Sequence, residues 1–475
     1  MIATAVTATS AAAPHSMRIP TAEALAALGA SVHERDALPA TLLVQTDTRA
    51  LERGAAFLAL RGERFDGHRY VEEAFARGAS CAIVDEAAAL PAGRPGLVVA
   101  DTLHAYLALG AIARTHVRGP VAGITGSTGK TTSKQFLLAL LRGAGVEATA
   151  TPENENNEVG VAKFLCGLDD GDTRVAIVEM GARNYRDLDP LVAAARPDIG
   201  LLTNVGEAHL EIMGSRERIA ETKSALPLGA RRAVLSLPDA ASRAIRPRLS
   251  ETPMWFGIDN ERPPAGEPAV IIEHELSRRA CATIIAPNGT ERHPIDIRFP
   301  GDHNRRNLAG AFAAALLCGA DASRLAPVVA SLALPHGRYE VVDVPGGIRL
   351  VFDAYNASLS GTLATLGTFA REPAARRIAV LGSMAELGDD APDMHERIGE
   401  LAARLDVVLA GGRYADATAR GVEAAGGTVV RYDRNEEAAS WLREYLRSGD
   451  AVLLKGSRMY KMEEIAEALG AEVFA

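Results

Sequence analysis

Residue types that hold phosphate crowd the stretch Val121-Ala-Gly-Ile-Thr-Gly-Ser-Thr-Gly-Lys-Thr-Thr132. A short apolar run ends in a glycine-rich turn, and a helical pattern follows from Lys134 to Arg142. Backbone N–H groups at a helix start carry partial positive charge and face outward, so they cradle an anion. Thr125, Gly126, Ser127, Thr128 and Gly129 form the turn. The two glycines let the backbone approach a phosphate closely. Lys130 is placed to reach β- and γ-phosphates, and the hydroxyl of Thr131, followed by Thr132, to hold Mg²⁺. The usual pattern has a glycine five residues before Gly129, where this chain has Ile124. The loop is therefore a shortened G-x-x-G-K-T.

Other chemistry-bearing residues fall at the ends of expected strands. Val175–Gly181 reads as an apolar strand with Glu179 near its end, and Ile199–Val205 as another, leading into Gly206-Glu-Ala-His209. In a nucleotide-binding sheet the carboxyl ends of strands face the phosphates and their metal, which makes Glu179 a magnesium candidate. Lys223 lies in the helical stretch 216–226. Composition alone reads it as a surface lysine paired with Glu217 or Glu221. Phe299-Pro-Gly-Asp-His-Asn-Arg-Arg-Asn307 enters a strong helix, where Asn304 and Asn307 can cap it or meet a base or ribose.

Strands and helices alternate on both sides of this region. Before it, expected strands at 41–45, 55–60, 81–85 and 97–100 carry two polar loops, Asp47-Thr48-Arg49 and 61–68 with Asp66-Gly67-His68. These loops suit a nucleotide or sugar phosphate, or are plain solvated turns. After it, residues 230–300 hold short strands that add an antiparallel edge. Beyond the Leu334-Pro-His-Gly337 linker, five strands (348–353, 378–382, 407–411, 429–432, 451–454) alternate with helices in a doubly wound pattern. Asp353, Glu386 and Lys455-Gly-Ser-Arg458 lie at or just beyond strand ends.

The bulk numbers limit the function classes. A chain of 475 residues forms two to four domains. The net charge of −9 gives no basic field for nucleic acid. No apolar run is long enough to span a membrane. Cys81, Cys166, Cys281 and Cys318 are scattered without a C-x-x-C, as expected of reduced thiols in a cytoplasmic protein. Residues 1–16 read as a disordered extension, with Met17 as an alternative start.

Taken together, Thr125–Thr132, Val178-Glu-Met-Gly-Ala182, Thr203–His209, Gly301–Asn307 and Lys455–Arg458 resemble the Mur ligases, which build the peptidoglycan stem peptide. The resemblance covers nearly all of the chain beyond Met17, and in this family the short loop with Ile124 is normal. Asp353-Ala-Tyr-Asn-Ala357, Leu381–Gly388 and Asn154-Glu-Asn-Asn157 look like the branch that adds D-alanyl-D-alanine. Ser358-Leu359 departs from the Asn-Pro usual there.

The resemblance implies three α/β domains: a UDP-binding domain (17–118), a central P-loop ATPase-like domain (119–334) and a C-terminal Rossmann-like domain (335–475). The linkers near Arg118 and Leu334 are then hinges. It also implies ATP and two Mg²⁺ ions. Lys130 and Thr131 would hold phosphate and the first metal, with Glu179 completing its shell. His209 would bind the second metal, beside a carbamylated Lys223. Asn157, Asn307, Arg338 and Asp353 match positions that contact adenine, ribose or phosphate. Asp47, Thr48, Arg49, Asp66, Gly67 and His68 match UDP-binding elements. Asn356, Glu386, Lys455 and Arg458 are candidates for the dipeptide, Arg458 by its fork of donors. The implied substrates are UDP-MurNAc-tripeptide and D-alanyl-D-alanine, acted on by a monomer in the cytoplasm. The alternatives are a sibling amide ligase and a non-catalytic nucleotide-binding module.

Overall fold

The computed structural model describes residues 17–62, 65–276, 278–471 and 473. The expected N-terminal extension, 1–16, lies outside the described residues. The rest falls into two compact units. One comprises residues 17–123, 147–180 and 188–198, and the other 124–146, 181–187 and 199 onward.

The first unit holds a five-stranded sheet in the order Ser31–His33, Gly96–Val98, Cys81–Val84, Ala56–Leu58, Val44–Gln45. The first pair is antiparallel and the rest are parallel. Cys81–Val84 is buried on both faces, as its unbroken apolar run requires. The single strand expected at 41–45 breaks at Leu43, because the chain changes partners there. Thr41–Leu42 pairs antiparallel with Ile19–Pro20, and Val44–Gln45 pairs parallel with Ala56–Phe57. A second part of this unit pairs Ala148–Ala150 with Val175–Glu179 in parallel. Three helices accompany it: Thr102–His116, Glu158–Cys166 and Leu188–Ala195. Gly110 lets the first of these approach the second, since a Cβ there would sit 3.3 Å from the Ala162 Cα.

In the second unit, Ile199–Leu202, Arg232–Ser236, Met254–Ile258 and Ala269–Leu276 run parallel. Arg279–Ala286 and Gly289–Asp296 then fold back antiparallel, as the expected edge. The outermost strand escapes a reading by pattern because it is polar and carries Pro294. An edge strand tolerates proline, having no second neighbour that needs its N–H. The helix after the phosphate loop, Lys130–Gly143, packs against Asp302–Leu317.

The remainder of this unit is a six-stranded sheet in the order Glu340–Val344, Ile348–Phe352, Ala451–Lys455, Arg377–Leu381, Val407–Gly411, Val429–Tyr432. Only the first pair is antiparallel. Alternate residues of one strand serve opposite faces. Val351, Leu453 and Ala379 pack with the helices Leu359–Phe369 and Ala391–Ala402. Leu350, Leu454 and Val380 pack with Asn435–Tyr445 and Glu463–Ala468. The sheet is thus covered on both sides, and its strand ends are the surface left for chemistry.

Candidate active site

The phosphate loop is held from outside by the end of the next strand. Ser127 N–H donates to the Asn204 carbonyl at 2.9 Å, and Thr203 Oγ donates to the Thr128 carbonyl at 2.6 Å. Thr128 N–H meets the Asn204 Oδ1 at 3.2 Å, and Gly206 N–H the Ser127 Oγ at 2.8 Å. Gly126 and Gly129 have φ of +150° and +78°, backbone that side chains resist. A Cβ at Gly126 would overlap Thr203 Oγ1, and one at Gly129 would overlap Asn307 Oδ1. Asn307 therefore sits directly against the loop. Gly129 caps the helix that Lys130 begins, so the free amides of that helix face the turn. Lys130 Nζ folds back to the Gly126 carbonyl at 2.9 Å.

Beside this loop lies a cluster of like charge. Lys223, on the helix Arg216–Gly229, is only 1% exposed, so the surface pairing with Glu217 or Glu221 fails. Burial and the charge of Lys130 push its ammonium down to about 7, with only Asp187 opposing them. His209 stands on left-handed backbone (φ +61°), an unusual conformation for a non-glycine residue. Burial lowers the tendency of its imidazole to protonate, as do Lys223 and Lys130, while Glu386 raises it. His209 Nδ1 is hydrogen-bonded to Glu386 Oε2. The other oxygen of Glu386 accepts from Arg183 Nη2 at 2.8 Å. The Glu386 carboxylate is thus engaged, in a different way from the expected contact with a dipeptide.

Two other expected dipeptide contacts are also engaged internally. Lys455 Nζ donates to the carbonyls of Asp353 and Asn356 at 3.0 and 2.8 Å and pairs with Asp353 Oδ2 at 3.2 Å. Three acceptors match the three donors of an ammonium, so Lys455 has no donor left for a ligand. Asp353 also accepts from Tyr339 N–H and Thr365 Oγ1, so it fixes the strand ends. Asn356 turns its Oδ1 onto the Ala357 N–H at 2.8 Å but is exposed. Arg338 and Arg458 both lie over the Tyr355 ring, 4.4 and 5.8 Å from its centre. Ser358 caps the helix Leu359–Phe369 by accepting from Gly361 N–H, a role that Ser fills as well as the Asn usual there. The helix at 302 is capped by the Gly301 backbone. Asn304 donates to the Pro300 carbonyl and caps nothing.

The remaining candidates belong to the first unit. Glu179 is buried at its strand end, where its N–H donates to Thr151 Oγ1 at 3.0 Å and its Oε1 accepts from Asn156 Nδ2 at 3.0 Å. Asn157 caps the helix Glu158–Cys166 by accepting from Gly160 N–H. Asp47 and Asp66 each start a short 3-10 turn, accepting from Arg49 N–H and His68 N–H. Arg49 pairs with Asp47 and pulls its carboxyl down to about 2. Thr48 is buried. Gly67 is required, since a Cβ would lie 2.7 Å from the Leu60 carbonyl. His68 bridges Asp66 and Asp85: its Nδ1 lies 2.8 Å from Asp66 Oδ1, and its Nε2 accepts from Asp85 N–H at 3.1 Å.

Three stretches match Mur ligase signatures. Residues 43–115 match the Mur ligase family catalytic domain, 124–315 the Mur ligase middle domain, and 337–458 the Mur ligase glutamate ligase domain. The curated UDP-N-acetylmuramoyl-tripeptide–D-alanyl-D-alanine ligase of Mycobacterium tuberculosis (strain ATCC 25618 / H37Rv) is 35% identical, over 90% of this chain and 92% of its own. The chain belongs to the Mur ligase family. The ligase of the same name from Escherichia coli (strain K12) is 30% identical over 90% of this chain and 93% of its own. A crystal structure of MurF from Acinetobacter baumannii superposes with a TM-score of 0.84, at 28% identity, over 96% of this Mur ligase and 99% of that chain. The MurF ligase of Thermotoga maritima in complex with ADP gives 0.76, at 27% identity, over 90% and 96%.

Four residues of this Mur ligase's site have roles that the sequence does not assign. Thr203 and Asn204 carry the phosphate loop; their place at a strand end, directly after an apolar run, is the available signal. Arg183 and Asp187 lie in the turn beyond Glu179 and act on Glu386 and Lys223, a link between segments far apart in sequence that no local pattern contains. Cys81, Cys166 and Cys281 are buried thiols outside any disulfide. Among the described residues no helix is long and apolar enough to cross a membrane.

Proposed function

We propose that this Mur ligase joins D-alanyl-D-alanine to UDP-N-acetylmuramoyl-tripeptide, with ATP converting the peptide carboxylate to an acyl phosphate. What carries the reading is the match over nine-tenths of the chain to ligases of that name. The crowding of Lys130, His209 and Lys223 at the phosphate loop supports it.

A carboxylate is a poor electrophile at neutral pH. Attack on the γ-phosphate of ATP makes it an acyl phosphate and releases ADP. The dipeptide amine then adds to that carbonyl, and phosphate leaves from the tetrahedral intermediate. Lys130 and the amides at the start of its helix hold the phosphates and offset charge as it moves, and Arg338 does so from the third domain. Thr131 and Glu179 offer the hard oxygens that Mg²⁺ takes, and His209 a nitrogen whose lone pair is directed by Glu386. When bound, Mg²⁺ neutralises phosphate charge. Lys223 fits a cation site only after modification, because an ammonium repels a metal. An amine held near neutrality is the form that reacts with CO₂, and a carbamate presents two oxygens. The first domain (17–118) takes the UDP moiety through Asp47–Arg49 and Asp66–His68, the second (119–334) ATP, and the third (335–475) the dipeptide, with Arg458 facing its carboxylate. The linkers act as hinges, so ATP and UDP-peptide should alter the solution scattering curve. The enzyme works as a cytoplasmic monomer.

The test is phosphate release with ATP and UDP-MurNAc-tripeptide, with D-alanyl-D-alanine added or withheld. Amine-dependent release and a pentapeptide product by mass are expected. Release with free diaminopimelate, lysine or glutamate instead would assign a sibling ligase, and ATP binding without release a non-catalytic module.

A further inference from the structure

Glu386 is the one acidic side chain of the Leu381–Gly388 segment, and its contacts lie outside its own sheet. It follows the strand Arg377–Leu381 of the six-stranded sheet, yet its carboxylate meets His209 and Arg183, and its carbonyl accepts from Glu211 N–H at 3.1 Å. Gly388, just beyond, packs on Glu211, whose Cα would lie 3.5 Å from a Cβ there. Three contacts thus join one turn of the third domain to the segment that carries His209, and a fourth joins it to Arg183.

The turn is built to hold this aim. Met384 N–H donates to His395 Nε2 at 2.9 Å, and His395 Nδ1 is fixed by the Ala391 carbonyl at 2.6 Å. Ala385 N–H donates to Ser457 Oγ at 3.1 Å. Ser383 Oγ donates to the Gly411 carbonyl and accepts from Tyr414 N–H. Glu386 itself stands at φ +59°, a conformation that costs energy in a non-glycine residue and persists only where its surroundings enforce it. A carboxylate that accepts from Nδ1 fixes the imidazole tautomer and leaves the Nε2 lone pair for a ligand.

We infer that Glu386 is a positioning residue: docking of the third domain orients His209 and completes the divalent-cation site of the central domain. The inference rests on His209 serving as a metal ligand, as the proposed function has it. It makes metal binding and docking report on each other. A central domain whose third domain is swung away would hold the second cation weakly, so ATP would be committed to reaction only when the amine-bearing domain is in place.

The experiment uses the full chain with ADP and Mn²⁺ as the paramagnetic probe. Mn²⁺ affinity, kcat and KM are measured for wild type, Glu386→Gln, Glu386→Asp, Arg183→Ala and His209→Ala, each first checked for an unchanged melting temperature. Outer carboxylates of this kind are typically worth 10–100-fold in metal affinity. Glu386→Gln is expected to weaken Mn²⁺ by about that factor and to lower kcat with little change in KM for ATP. Glu386→Asp should recover part of the loss. In a His209→Ala background, Glu386→Gln should add nothing. Wild-type Mn²⁺ affinity in Glu386→Gln overturns the inference. So does an undiminished effect of Glu386→Gln in the His209→Ala background, since Glu386 would then act on substrate directly. If Glu386→Gln fails to fold, Arg183→Ala and Glu386→Asp decide on the same measurements. Absence of a pentapeptide product from wild type would refute the assigned reaction while leaving the Mn²⁺ comparison to judge Glu386.

Discussion

Lys223 and Lys455 are both almost fully buried in the second unit, at 1% and 4% exposure, and their surroundings treat them in opposite ways. Lys455 has Asp353 and two carbonyls around its ammonium, a satisfied set that ties the ends of the strands Ile348–Phe352 and Ala451–Lys455 together. Lys223 faces Lys130, and only Asp187 opposes the repulsion. Burial disfavours both charges, but one is compensated by geometry and the other is left under strain. A compensated buried charge is scaffolding. An uncompensated one marks a candidate for chemistry. Composition alone reads Lys223 as a surface lysine and places Lys455 at a strand end, and neither reading contains the deciding neighbours: Lys130 and Asp187 for Lys223, and acceptors 99 and 102 residues away for Lys455.

The comparison breaks first on activity. Lys223→Ala should lower turnover by about 10²-fold or more, the usual cost of one preorganised electrostatic group, and Lys130→Ala should do likewise. ADP release measures both. Short carboxylates added to Lys223→Ala should restore part of the rate if a carbamate is the working form. Near-full turnover in Lys130→Ala would remove the phosphate loop from the mechanism.

Stability is the second axis. Lys455→Met leaves Asp353 buried without its counter-ion and should destabilise by about 3–5 kcal/mol in urea unfolding. The double change Asp353→Asn with Lys455→Met should recover much of that loss. An unchanged midpoint for the single variant would return Lys455 to the list of ligand contacts.

The pH dependence sharpens the contrast. The folded-state pKa of Lys223 is about 7, below the model-peptide value of 10.5. Below pH 7 both states carry the proton, and the cost of burying the charge is felt in full. Between 7 and 10.5 the unfolded state binds more protons, so wild-type stability rises with pH. Lys223→Met should therefore exceed wild type by up to roughly 5 kcal/mol below pH 7, with the gap closing toward pH 10.5. The measurement needs CO₂-free buffer. A gap that stays flat with pH would mean the ammonium is better paired than Lys130 and Asp187 indicate. The smallest effect is local: Ser358→Ala should cost about 1 kcal/mol through loss of the helix cap and leave the lysine contrast untouched.

The sequence made the parallel strands and the phosphate loop legible because period, glycine position and the Lys-Thr pair are local signals. Val407–Gly411 and Val429–Tyr432 were placed at their observed bounds for that reason. Edge strands were harder. Gly289–Asp296 and Glu340–Val344 have a single neighbour each, so their residues need not be apolar. The site was legible as a set of residues and much less as a set of bonds. Asp353 and Lys455 are candidate ligand contacts by sequence, and the structure adds the ion pair between them that no local pattern contains. Asn157 is a candidate nucleotide contact by sequence, and the structure adds its cap on the helix Glu158–Cys166. A polar side chain at a strand end looks the same in sequence whether its partner is a ligand or a residue a hundred positions away.

Gly126 and Gly129 are glycines because Thr203 and Asn307 occupy the space a side chain would need. The loop's shape is therefore recorded three times in the chain, at 126–129, at 203–204 and at 307. Drift at one of these places cannot be neutral unless the others drift with it. Across related chains these positions should vary as a group or not at all, and a lineage that gained a bulkier residue in the turn should show a smaller one at 203 or 307.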